Sequence, residues 1–263
     1  MNGPSLRILV RSGRASPASA ALAYLAGIAL AELLTTYADP RLGMATHCIL
    51  LALLLYHSSR VSGEQERAFL ICLAFAPLIR ILSLSLPLTR FPVVIWYLVT
   101  SIPLFAAALV ATRTLGYTWP ELGLTLHGWP LQIAFGLSGL AFGAVEYLIL
   151  RPEPLVGALA WQQLWPAALI LLLCTGLLEE IIFRGLLQRA AGDVLLRWGM
   201  PYVALVFAVL HIGYRSVVDV LFVLAVGLVF GWFVQRTGSL LGVTLSHGLT
   251  NIVLFLVMPF LLG

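Results

Sequence analysis

The chain has 263 residues, 61% of them apolar and 10% charged, with strongly positive mean hydropathy. That balance excludes a soluble globular domain and gives a multi-spanning membrane protein. The formal charge is +4 and all 15 basic residues are arginine; they are scattered between apolar runs and form no basic stripe, which argues against a nucleic-acid partner and makes them topology determinants.

A membrane span needs about 20 mostly apolar residues. On that measure helices are predicted at 18–37, 43–57, 67–88, 91–112, 131–150, 163–191, 199–213, 217–235 and 239–262. The second and seventh are short, so eight spans plus a re-entrant or interfacial helix fit almost as well as nine. Arg7, Arg11 and Arg14 precede the first run in the manner of a signal peptide, but that run exceeds a typical signal core, and a retained first helix is expected. The stretch from Arg113 to Pro130, with Trp119 and Trp129, reads as an interfacial connection with aromatic rings at headgroup level. It divides the chain into an N-terminal bundle with its connection, residues 1–130, and a C-terminal bundle, residues 131–263.

Nine spans with a cytoplasmic N-terminus put Arg7, Arg11, Arg14, Arg60, Arg67, Arg113, Arg184, Arg189, Arg197 and Arg236 on the cytoplasmic side. Arg41, Arg90, Arg151 and Arg215 fall on the other, and the excess fits the positive-inside rule. A lysine-free, Ala/Leu-rich chain suggests a GC-rich bacterial genome, hence a multi-pass protein of a bacterial inner membrane. Cys48, Cys72 and Cys174 are odd in number and lack CxxC spacing, so neither a disulfide framework nor a thiolate metal site is implied.

The costliest residues lie in Leu177-Leu178-Glu179-Glu180-Ile181-Ile182-Phe183-Arg184. A charge at bilayer depth is disfavoured by about 2.5–3.5 kcal/mol on insertion scales, so such residues usually face the bundle interior and mark function. Helical neighbours point about 100° apart, so Glu179 and Glu180 are expected to have different partners. Arg184 follows Glu180 by one turn in the favourable order for an ion pair, which makes these two a brace and leaves Glu179 as the free carboxylate. Two further polar positions follow, Phe207-Ala-Val-Leu-His211 and His247-Gly-Leu-Thr-Asn251, each an i,i+4 pair on one helical face. Counting rise from the turns near residues 190–197 and 236–238, Glu179, His211 and His247 fall about 17, 20 and 14 Å into the membrane. An intramembrane polar cavity is therefore expected. A carboxylate beside a histidine suits general-base activation of water, and a second histidine with an amide supplies donors to an oxyanion. Such a site needs no metal or other cofactor.

At these residues the chain resembles the CAAX prenyl protease and bacteriocin-processing (CPBP) family of glutamic-type intramembrane proteases. The resemblance rests on Glu179-Glu180-Ile-Ile-Phe-Arg184, Phe207-Ala-Val-Leu-His211 and His247-Gly-Leu-Thr-Asn251, intact and in order, and spans roughly residues 160–255. It implies an all-α transmembrane bundle that cleaves a peptide bond of a membrane-associated protein or peptide. Glu179 with His211 would activate the water, His247 with Asn251 would hold the oxyanion, and Glu180, Arg184 and Phe207 would support them. Other readings stay open. Gly136-Leu-Ser138-Gly139 has the GxSG form of a serine protease; Glu179, His211 and His247 are suitable zinc ligands; and Glu32, Arg80, Glu146 and Glu179 could line an ion path through an inactive scaffold or transporter.

Overall fold

In a bilayer every backbone polar group has to be satisfied within the chain, which leaves the helix as the solution for runs this apolar. The computed structural model, which describes residues 16–86 and 91–263, is all-helical, with no strand among the described residues. Arg7, Arg11, Arg14 and Arg90, assigned above to membrane faces, lie outside the described residues. Among the described residues, eight helices are long and apolar enough to cross a membrane.

The first two are α1 (Pro17–Tyr37) and α2 (Pro40–Arg60), each opened by proline after a side-chain cap, Ser16 accepting from Ser19 N and Asp39 from Arg41 N. The Asp39-Pro40 start makes α2 21 residues long, so the second segment is a full-length helix. Next come α3 (Glu64–Leu73) and α4 (Phe75–Ser85), which meet at Ala74 just ahead of Pro77; its ring removes the backbone bond to Leu73 and offsets the two halves. Then follow α5 (Val93–Thr114) and the pair α6 (Trp129–Gly136) and α7 (Ser138–Leu150).

The stretch Trp161–Tyr214 contains two legs. The first runs through α8 (Trp161–Ile170), a π-helical turn (Leu171–Leu177), the three-residue α9 (Leu178–Glu180), a second π-helical turn (Ile181–Leu187) and α10 (Gln188–Leu195). The chain reverses at Leu196, which sits at φ 54°, and returns as α11 (Gly199–Val209). Eleven helical residues rise only about 16 Å, half the hydrocarbon thickness, so the seventh predicted segment is too short to cross. The alternative of eight spans plus one short helix is the one the fold adopts. The chain closes with α12 (Val217–Thr237), α13 (Leu241–Ile252), a third π-helical turn (Val253–Val257) and α14 (Met258–Leu262).

One apolar core draws Ile28 and Leu54 from α1 and α2 together with Phe69, Phe183, Phe207 and Val243, so the early helices pack directly on the legs that carry the polar residues. The connection between α5 and α6 is tied down at their ends: Ser239 Oγ donates to Thr125 O at 2.7 Å, Leu240 N to Gly123 O at 2.8 Å, and Arg189 to Glu121 at 2.9 Å. Trp119 and Trp129 remain more than half exposed. Glu64, Arg67, Thr114, Tyr117 and Asp193 line one cleft, which puts the start of α3 and the ends of α5 and α10 on one face. Arg184 departs from the arginine tally above. It is 3% exposed and paired inside the bundle, so it is no loop arginine and says nothing about orientation.

Candidate active site

The site is organised by a close crossing of α13 over the first π-helical turn. A Cβ on Gly176 would lie 2.9 Å from Thr244 O and 3.0 Å from Gly248 N, so the two backbones meet where both helices carry glycine. That approach carries His247, the neighbour of Gly248, against the double glutamate. Glu179 and Glu180 occupy the short α9 between two wide turns, the kind of local unwinding often found at functional positions.

Glu180 is fully buried, and its Oε1 accepts from Arg184 Nη1 at 2.9 Å and from His247 Nδ1 at 2.8 Å. Glu179, its side chain 31% exposed, stands with Oε2 3.8 Å from His247 Nε2, beyond hydrogen-bond length but within ion-pair reach. The expected brace of Glu180 and Arg184 is present. The expectation of separate partners is corrected: one imidazole reaches both carboxylates, because its two nitrogens point apart and the ring bridges the angular gap between neighbouring residues. Arg184 also lies 4.5 Å from the Phe207 ring centre and 5.5 Å from that of Phe230, so its remaining guanidinium surface rests on aromatic faces.

His211 follows Phe207 by one turn, and Nδ1 donates to the Phe207 carbonyl at 2.9 Å. A carbonyl only accepts, so the proton is on Nδ1 and Nε2 is left for the interior. The Phe207 ring lies 4.9 Å from that of His211 and meets that of His247 edge-on at 6.0 Å, separating the two imidazoles. On α13, Asn251 Nδ2 donates to Thr175 Oγ1 at 2.8 Å. The Thr175 hydroxyl in turn donates to Leu171 O, so its oxygen must accept, and this fixes which way the Asn251 amide faces. One Asn251 N–H remains for another acceptor.

His211, His247, Asn251, Phe207 and Glu146 line a common cavity of about 40 Å³, enough for water. Glu179 joins this group through His247 and makes no ion-pair contact with His211. All seven residues singled out in the sequence thus converge in one region, from three separate helical legs. Thr175 was missed, although its place four residues before Glu179 puts it on the same helical face. Ser138 donates to Phe135 O at 2.6 Å and meets Ser246 Oγ at 3.0 Å, and the carbonyl of Ser246 sits where a Cβ on Gly139 would go; the GxSG stretch is packed as a helix contact with α13. Glu32 is buried against Arg80 at 2.6 Å and His47 at 3.1 Å, a cluster of its own among α1, α2 and α4. Among the described residues no three His, Cys, Asp or Glu side chains are grouped as metal ligands.

Residues 160–253, which hold every one of these polar groups except Ser138, Glu146 and the Glu32 cluster, match the family model for type II CAAX prenyl endopeptidase Rce1-like proteins. Over those residues the chain is similar to that family. Helices α1 to α7 lie outside the match. Neither a curated protein nor a solved structure matches the chain. With eight helices among the described residues long and apolar enough to cross a membrane, the chain is a multi-pass membrane protein.

Proposed function

We propose that the chain is an intramembrane endopeptidase of a bacterial inner membrane, acting on a membrane-associated protein or peptide through a glutamate-activated water and no metal or other cofactor. The family match supports the peptidase class. The observation that carries the mechanism is the bridging of Glu179 and Glu180 by His247 beside a cavity shared with His211 and Asn251.

In this reading a water bridges Glu179 and His211, which form no ion pair with each other. Glu179 takes one proton as the hydroxyl attacks the peptide carbonyl, and His211, held by the Phe207 carbonyl, orients the water through Nε2. The buried Glu180 and the partly exposed Glu179, opposed by the Arg184 guanidinium and a His247 imidazolium, make a cluster with no net charge, the arrangement in which ionised groups tolerate burial. His247 then carries an N–H on each nitrogen. Nδ1 donates to Glu180, and Nε2, together with the second Asn251 N–H, donates to the oxyanion as charge develops on it. Collapse of the tetrahedral intermediate breaks the C–N bond, and the proton held by Glu179 passes to the leaving amine. A cavity of about 40 Å³ holds water and not a peptide, so substrate entry requires the surrounding helices to part.

The test compares strains carrying wild type, Glu179→Ala, His211→Ala and Ser138→Ala by mass spectrometry of the N- and C-termini of membrane and secreted proteins. A processed terminus that disappears in the first two variants and persists in Ser138→Ala is the expected result. Identical termini in all four strains, with a phenotype on deletion of the whole protein, would overturn catalysis and leave the polar cluster as a packing or binding site.

A further inference from the structure

The cavity has an acidic end that the glutamate and histidine chemistry leaves unused. Glu146 of α7 is 7% exposed and lines the cavity beside His211, His247 and Asn251. Asp219 of α12 is completely buried, and among the described residues neither of its carboxylate oxygens has a hydrogen-bond partner. It precedes Phe222 and Val223 by three and four residues, so it shares their helical face, and both of those side chains line the cavity. Helical side chains lean toward the N-terminus, which extends this face by one turn with an acid at its tip. Glu146 lies within Coulombic range of Asp219 and of His247.

Local structure does not account for the pair. Ser216 caps α12 by accepting from Asp219 N at 3.2 Å, and in a capping box the acid would answer by bonding the cap's own N–H; here its oxygens bond nothing. The helix N-terminus favours a negative charge at Asp219, but Glu146 stands near the C-terminus of α7, where the dipole opposes one. The neighbouring arginines are committed elsewhere: Arg184 to Glu180, Arg80 to Glu32 and Arg215 to the Thr36 carbonyl. Two like carboxylates stand within Coulombic range of each other, the only nearby positive group being His247, which is bonded to Glu180; among the described residues neither acid has a cation of its own.

We propose that Glu146 and Asp219 form a subsite for a lysine or arginine side chain of the peptide substrate and thereby set the residue preference near the scissile bond. The proposal rests on the peptidase reading of the cavity. Phe222, Val223, Val226 and Phe230 line the cavity together with Glu146, so its carboxylate stands among apolar walls. That profile is the complement of a long basic side chain, whose methylene stem packs on apolar surface while its head keeps a polar partner. An inorganic cation fits less well, since among the described residues no three His, Cys, Asp or Glu side chains are grouped to hold one.

The test measures binding to the Glu179→Ala protein in lipid nanodiscs, so that turnover plays no part. The probes are fluorescent apolar dodecapeptides with lysine, arginine, norleucine or glutamate placed at each position in turn. The expected result is at least one register in which lysine and arginine bind about tenfold or more tighter than norleucine, the scale of a hydrogen bond to a charged group. That preference should vanish in the Glu146→Gln, Asp219→Asn double variant. Equal binding of lysine and norleucine in every register, a preference that survives the double substitution, or one abolished by millimolar calcium would overturn the proposal. Both substitutions keep shape and remove unpaired buried charge, so melting should not fall; if the double variant fails to fold, Glu146→Gln alone serves the same comparison. Cleavage of the same peptides by wild type is followed separately. A cation preference in binding without cleavage refutes the peptidase reading, whereas cleavage without a cation preference refutes the subsite.

Discussion

The two adjacent glutamates should give opposite phenotypes, and the geometry supplies the magnitudes. Replacing Glu180 by Gln removes the charge that pairs Arg184 at 2.9 Å and accepts from His247 at 2.8 Å, in a place where Glu180 is fully buried and Arg184 only 3% exposed. Leaving one member of a buried pair without its partner costs about 3–5 kcal/mol, and the aromatic faces of Phe207 and Phe230 offset part of that for Arg184. A net loss of about 3 kcal/mol corresponds to a melting temperature lower by roughly 6–12 °C for a chain of this size. Replacing Glu179 by Gln removes a carboxylate that is 31% exposed and has no hydrogen bond among the described residues, its ion-pair partner there being His247 at 3.8 Å. Its stability should stay within about 0.5 kcal/mol of the parent, like other substitutions that break no buried contact. Turnover should be lost in Glu179→Gln while the protein remains folded. The assay is thermal unfolding of both variants in one detergent, followed by intrinsic tryptophan fluorescence, beside the terminus profiling described above. Equal melting temperatures for the two variants, or a larger drop in Glu179→Gln, would refute the division of labour between brace and base.

Thr175→Val should leave the Asn251 amide without the hydroxyl that orients it; we expect about 1 kcal/mol less stability but at least a tenfold fall in turnover, and a loss of stability with turnover unchanged would remove Asn251 from the oxyanion role. Gly139→Val drives a side chain into the Ser246 carbonyl, so the helix contact should open at a cost of about 2 kcal/mol or more, read as a lower melting temperature. Ser138→Ala, one residue away, loses a hydrogen bond to Ser246 and should cost only about 1 kcal/mol. The strap formed by the α5–α6 connection should loosen with acid. Glu121 accepts from the Thr118 N–H and hydroxyl and pairs with Arg189, which together hold its carboxyl below the ordinary value. A depressed folded-state pKa contributes stability that is present above the unfolded value and lost as pH falls through the folded one, so hydrogen exchange in residues 115–128 should accelerate below the usual carboxylate range and not above it.

The arrangement of polar residues along the chain already contains most of the site. Apolar runs of span length fix an all-helical membrane bundle, because lipid leaves the backbone no other partner for its own polar groups. The i,i+4 spacings fix which side chains share a helical face, and so Glu180 with Arg184, Phe207 with His211, and His247 with Asn251 were legible before any fold was known. Rise per residue even put the three pairs at one depth. What the spacing could not supply is anything that depends on how one helix meets another. The Gly176 and Gly248 crossing decides that His247, and not His211, touches the double glutamate, and that contact is set by backbone proximity in space. The same holds for Thr175, whose partner lies 76 residues away, and for Asp219 and Glu146, which stand on helices far apart in the chain and come within Coulombic range of each other. The short α11 depended on tertiary structure as well. Hydropathy measures composition over a window, and only the reversal at Leu196 and the break after Val209 set that leg at about half a membrane. Sequence determines which groups are too costly to be left in lipid; tertiary packing decides which of them neutralise one another and which remain facing the cavity.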